Sequence, residues 1–75
     1  MKSNRSNFRY EIKAHLGVLS TSRSGWTKEI NIISWNDRPE KVDIREWSPE
    51  HDKMSRGLSL TQDEMDALVD LWVNR

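Results

Sequence analysis

From Phe8 onward apolar and polar residues alternate. Phe8, Tyr10, Ile12, Ala14, Leu16 and Val18 fall on one side; Arg9, Glu11, Lys13 and His15 fall on the other. A period of two predicts a strand with one buried face. The run is long against the ~5–6 residues of a typical strand, and Gly17 marks a bend or bulge near its end. Residues 20–25 form a small polar loop. Residues 26–36, rich in Trp and Ile, predict a second strand. Its alternation is broken, because Ile30, Ile32 and Ile33 fall on both faces. Either both faces are covered or a bulge shifts the register. Asp37-Arg38-Pro39-Glu40 is a turn with φ fixed by proline. Lys41–Trp47 predicts a third strand, with Val42 and Ile44 on one face and Lys41, Asp43, Arg45 and Trp47 on the other. After an irregular polar connection over 48–57, Leu58-Ser59-Leu60 predicts a short fourth strand.

The period then changes to that of a helix. Met65, Leu68, Val69 and Trp72 follow the i, i+3, i+4, i+7 rule. Thr61 is the N-cap, with Glu64 three residues on as its capping-box partner and Leu60 and Met65 as the hydrophobic staple. Asp63, Asp66 and Asp70 line the opposite face as an acidic stripe; Asp63 and Glu64 suit the positive end of the dipole and Arg75 the other end. The apolar arc, from Leu71 through Leu68, Trp72 and Met65 to Val73, spans roughly 200°, twice what one packing surface needs. One sheet cannot cover it. The arc therefore argues for a homodimer with its helices near the two-fold axis, and places Leu68, Leu71 and Trp72 in the interface.

Composition narrows the classes. Seventy-five residues make one domain, too short for a large enzyme core. The first seven residues read as a flexible polar tail and 8–75 as the domain. Without cysteine there is no disulfide or thiolate zinc site to add stability, so a lean core or assembly must supply it. No stretch approaches a membrane span and residues 1–7 lack a signal peptide's apolar block. The expected compartment is the cytoplasm. Net charge is zero, yet residues 1–47 carry +3 and residues 48–75 carry −3. Such segregation suits one electropositive face, although ordinary solvated surface gives the same arithmetic.

Catalytic and cofactor chemistry find no support. His15 and His51 lie in different elements without metal-ligand spacing, and read as structural or surface residues. The three glycines are isolated, so there is no phosphate loop. No cofactor and no metal are expected. Aromatic and basic residues carry the signal instead. Trp47 shares a strand face with Lys41 and Arg45, and Trp35 ends the neighbouring strand. An exposed ring stacks on an unpaired base while a cation meets phosphate. The competing reading makes Trp35 and Trp47 core residues of a second covered face, and the pattern leaves both open.

Several blocks together resemble a known family. They are Gly25-Trp26-Thr27-Lys28-Glu29-Ile30, Ile33-Ser34-Trp35-Asn36-Asp37, Val42-Asp43-Ile44-Arg45-Glu46-Trp47-Ser48-Pro49, and Lys53-Met54 with Gly57-Leu58-Ser59-Leu60. They resemble the bacterial YdbC-like branch of the transcriptional positive cofactor four family, coactivators that bind single-stranded DNA. The resemblance runs from about Gly25 to Arg75. It implies an α+β fold: a curved four-stranded antiparallel sheet followed by a C-terminal helix, in a coactivator-like or Whirly-like homodimer without catalytic activity or cofactor. It implies that Arg45 faces nucleic acid, that Trp47 stands at or beside the aromatic pair after the motif, and that Arg56 is the basic residue before the glycine. It makes Lys53 the expected second phosphate contact. Asn31 stands where the eukaryotic branch has a basic residue, which implies weaker phosphate binding. With Lys28, Trp35 and Lys41, these form the expected nucleic-acid site. The expected function is sequence-independent binding of single-stranded DNA, with RNA as a further partner, in transcription, replication or repair, in the cytoplasm or nucleoid. The alternative is a dimeric protein-interaction module that has lost strong nucleic-acid binding.

Overall fold

A computed structural model describes residues 8–75; the flexible tail expected over residues 1–7 lies outside the described residues. The order is β1 (Tyr10–Thr21), β2 (Thr27–Trp35), β3 (Lys41–Trp47), β4 (Met54–Leu60) and α1 (Gln62–Val73). The strands form one antiparallel sheet in the order β1-β2-β3-β4. The α+β architecture, an open sheet followed by one helix, is therefore as the sequence predicts.

Against β3, β2 runs in unbroken register, from Thr27 opposite Trp47 to Ile33 opposite Lys41. The irregular alternation of β2 thus reflects apolar residues on both faces. The register shifts lie on β1, between Ile12 and Ala14, His15 and Gly17, and Val18 and Ser20. They correct the expectation of one buried β1 face: each extra residue flips the alternation, so Leu16, Val18 and Leu19 stay exposed. The fourth strand also begins earlier than predicted, at Met54. Its first half, Met54-Ser55-Arg56-Gly57, carries no apolar alternation but pairs with β3.

One face of the sheet is rolled inward. Tyr10 lies opposite Trp35, and Trp47 opposite Thr27. Eight residues of flat strand would separate those levels by roughly 26 Å. Yet the Tyr10 and Trp47 rings are 5.7 Å apart, and the Arg45 guanidinium lies 4.5 Å from the Trp35 ring. Extra residues increase bend and twist, and the three on β1 suit this curvature. The concave face encloses Ile33, Asn31, Asp43 and Trp47, all with no exposed surface.

The helix packs only on β3 and β4 and has no buried residue. Its capping box is present: the Thr61 side chain accepts from the Glu64 N–H at 3.1 Å, and the Thr61 N–H donates to Glu64 Oε1 at 2.8 Å. Arg75 closes the other end, donating to the Trp72 carbonyl at 2.8 Å while its guanidinium lies over the Trp72 ring. Leu71 and Trp72 are 75% and 62% exposed. The wide apolar arc is thus left bare by its own sheet. None of the described helices is long and apolar enough to cross a membrane.

Candidate nucleic-acid interface

Inside the rolled face two carboxylates organise the polar side chains. Asp43 takes a two-pronged ion pair from Arg45, at 2.6 Å from Nε and 2.7 Å from Nη2, and accepts from the Ser59 hydroxyl at 2.9 Å. Arg45 also donates to the Ser55 carbonyl. Glu29 accepts from the Thr27 hydroxyl at 2.6 Å and the Asn31 amide at 3.2 Å, and His51 Nε2 lies 3.0 Å away. Asn31 Oδ1 meets His15 Nδ1 at 2.7 Å. Burial alone would raise the Glu29 pKa; the hydrogen bonds from Thr27, His51 and Asn31 outweigh it and hold the carboxyl below its ordinary value.

The β3–β4 connection is built on this network. His51 takes a left-handed conformation, φ 63°, and its ring stacks on Trp47 at 4.3 Å with 2° between planes. Ser48 accepts from the backbone N–H groups of Asp52 and Lys53, and donates to the Asp52 carboxylate. That bond holds Asp52 below its ordinary pKa.

The expected site residues divide. Trp47 is not an exposed platform: Tyr10 and His51 enclose it in the rolled sheet, leaving 0% of its surface exposed. Asn31 is equally buried, its amide engaged by Glu29 and His15, so neither residue is open to a strand. Arg45 is mostly buried, its charge taken up by Asp43. Lys28, Lys41, Lys53 and Arg56 are exposed, and among the described residues none is ion-paired to a carboxylate. Lys28 and Arg56 share a cleft of about 430 Å³ with Ile44, Arg45, Glu46 and Ser55. Trp35, half-buried, does not line that cleft; it lies against the Arg45 guanidinium and beside Tyr10 and Phe8. Sequence reasoning missed the Glu29 network and the Phe8–Tyr10 cluster. The aromatic alternation at the start of β1 was a signal for the cluster; the curvature that joins it to Trp35 and Trp47 was not visible.

With this geometry in place, comparison with known proteins is decisive. The family model of Transcriptional Coactivator p15 (PC4) matches residues 22–71. The chain belongs to the PC4 coactivator family. It is also similar to an uncharacterized protein of Treponema pallidum (strain Nichols), 54% identical over 65 residues that make up 87% of this chain and 76% of that protein. The PC4 match covers β2, β3, β4 and most of α1, and leaves Phe8 and all of β1 outside it.

Proposed function

We propose that this PC4-family chain binds single-stranded DNA with little sequence preference, as a homodimer, through its sheet. The observation that carries the reading is the sorting of charge. On β2, β3 and β4, Asp43 and Glu29 are turned inward and satisfied there, while Lys28, Lys41 and Arg56 face solvent, as does Lys53 in the β3–β4 connection. Free cations on a sheet suit phosphates spaced along a flexible strand. Arg45 acts through position, holding the Trp35 ring rather than neutralising phosphate. The protein works without catalysis where strands are open, in transcription, replication or repair, in the cytoplasm or nucleoid. RNA single strands meet the same stacking and phosphate chemistry.

The second copy covers the helical arc. Leu68, Leu71 and Trp72 line an apolar groove of about 540 Å³ with Ala67 and Glu64, and such a bare patch marks an interaction surface. The same exposed arc favours the alternative reading, a dimeric protein-interaction module. Salt dependence separates the two. The log affinity for oligo-dT should fall with log salt, and Arg56→Ala should lower the slope by about 0.7, the value for one neutralised phosphate. An affinity indifferent to salt and to Arg56 would count against the strand surface.

A further inference from the structure

We infer that Phe8 and Tyr10, outside the segment matched to the PC4 family, join Trp35 in a base-stacking site at the rim of the rolled sheet; this rests on the single-strand reading above. The three rings form one cluster. Phe8 lies 5.9 Å from Trp35 and 6.3 Å from Tyr10, and Tyr10 lies 5.5 Å from Trp35. Phe8 is 56% and Tyr10 37% exposed. A ring cluster that only closed the core would turn its surface inward, as Trp47 does. Here the outermost ring is the most open.

The cluster is held in place before any ligand arrives. Asn36 and Asp37, in the β2–β3 turn, both take left-handed conformations, with φ of 50° and 64°. Asn36 clamps the backbone of Arg9 from both sides: the Arg9 N–H donates to Asn36 Oδ1 and the Asn36 N–H donates to the Arg9 carbonyl, each at 2.8 Å. The Arg9 guanidinium pairs with Asp37. Residue 9 is thus pinned, and its neighbours Phe8 and Tyr10 are fixed on the Trp35 side of the sheet. Pre-ordering lowers the entropic cost of binding.

Charge complementarity selects the occupant. Arg45 lies over the Trp35 ring. Arg38, in the same turn, and Lys41, just beyond it, are exposed and unpaired with any carboxylate among the described residues. Aromatic surface flanked by free cations fits an unpaired base with its phosphates, more than an aliphatic peptide or a lipid surface.

The test compares oligo-dT with an abasic strand of equal length, which keeps the phosphates and removes the bases. Wild type should prefer dT. Phe8→Ala should weaken dT binding roughly five- to 150-fold, the range of one lost stacking contact, while abasic binding and salt slope stay at wild-type values. Phe8→Trp should restore the preference, which a merely structural loss would not. Circular dichroism verifies that both variants are folded. If folded Phe8→Ala keeps the wild-type preference for dT, the stacking site is overturned and the single-strand reading stands. If wild type binds neither strand, the single-strand reading itself fails and takes this site with it.

Discussion

At the scale of single residues, the rolled face decides what each side chain can do. Trp47 fills the cup between Tyr10 and His51. Trp47→Ala should therefore cost ~3–5 kcal/mol, as large aromatic truncations in cores do, read as a fall in the urea midpoint. A variant as stable as wild type would place Trp47 outside the core. Gly57 is the other steric constraint. A Cβ there would come within 2.7 Å of both Arg45 Nε and the Ile44 carbonyl. Gly57→Ala should displace Arg45 from Asp43 and cost ~1–3 kcal/mol, the usual range for overpacking.

Glu29 links this interior to pH. Its folded pKa lies below the ordinary value, so the folded state holds its proton less readily than the unfolded chain. The associated stability is present above the ordinary carboxylate range and is lost as pH falls through the folded value. In urea titrations from neutral to acid, the gap in stability between wild type and Glu29→Gln should narrow on acidification. A constant gap would show that the carboxylate charge contributes nothing. The Glu29 network was not legible beforehand. The face of β3 that holds Asp43, Arg45 and Trp47 could be read as outward or as a second covered face, because alternation separates two faces without saying which one curls shut; for Trp47 the covered reading holds.

At the scale of elements, the helix was the most legible part. Thr61, Glu64 and the apolar spacing specify its start and its stripe, and the structure places both there. Thr61→Ala should cost ~1 kcal/mol through loss of the side-chain acceptor, seen in thermal unfolding, with oligo-dT affinity of the folded protein unchanged. A large loss of affinity would mean that strand contacts reach the helix. The strands were legible in number and order but not in detail. Gly17 marked one of the β1 bulges, but a bulge has no fixed residue signature, so the other two escaped the alternation, and the polar half of β4 gave no strand pattern. Lys28, Lys41, Lys53 and Arg56 could be read as candidate contacts from their types. That Lys28 and Arg56 share one cleft was not visible in the sequence.

At the scale of the whole molecule, an apolar helix arc and free cations on the sheet coexist in a chain of zero net charge. Leu71→Asp would put a charge into the proposed helix interface, and should dissociate the dimer in sedimentation at micromolar concentration. A wild-type chain that sediments as a stable monomer would remove the interface. The central claim is that the sheet holds unpaired strands. It is tested most directly by anisotropy titration of labelled oligo-dT and of duplex DNA of equal length, at two salt concentrations. The account predicts tighter binding to oligo-dT at both salts, with both affinities falling as salt rises. Equal binding to the two forms, or preference for duplex, would contradict it.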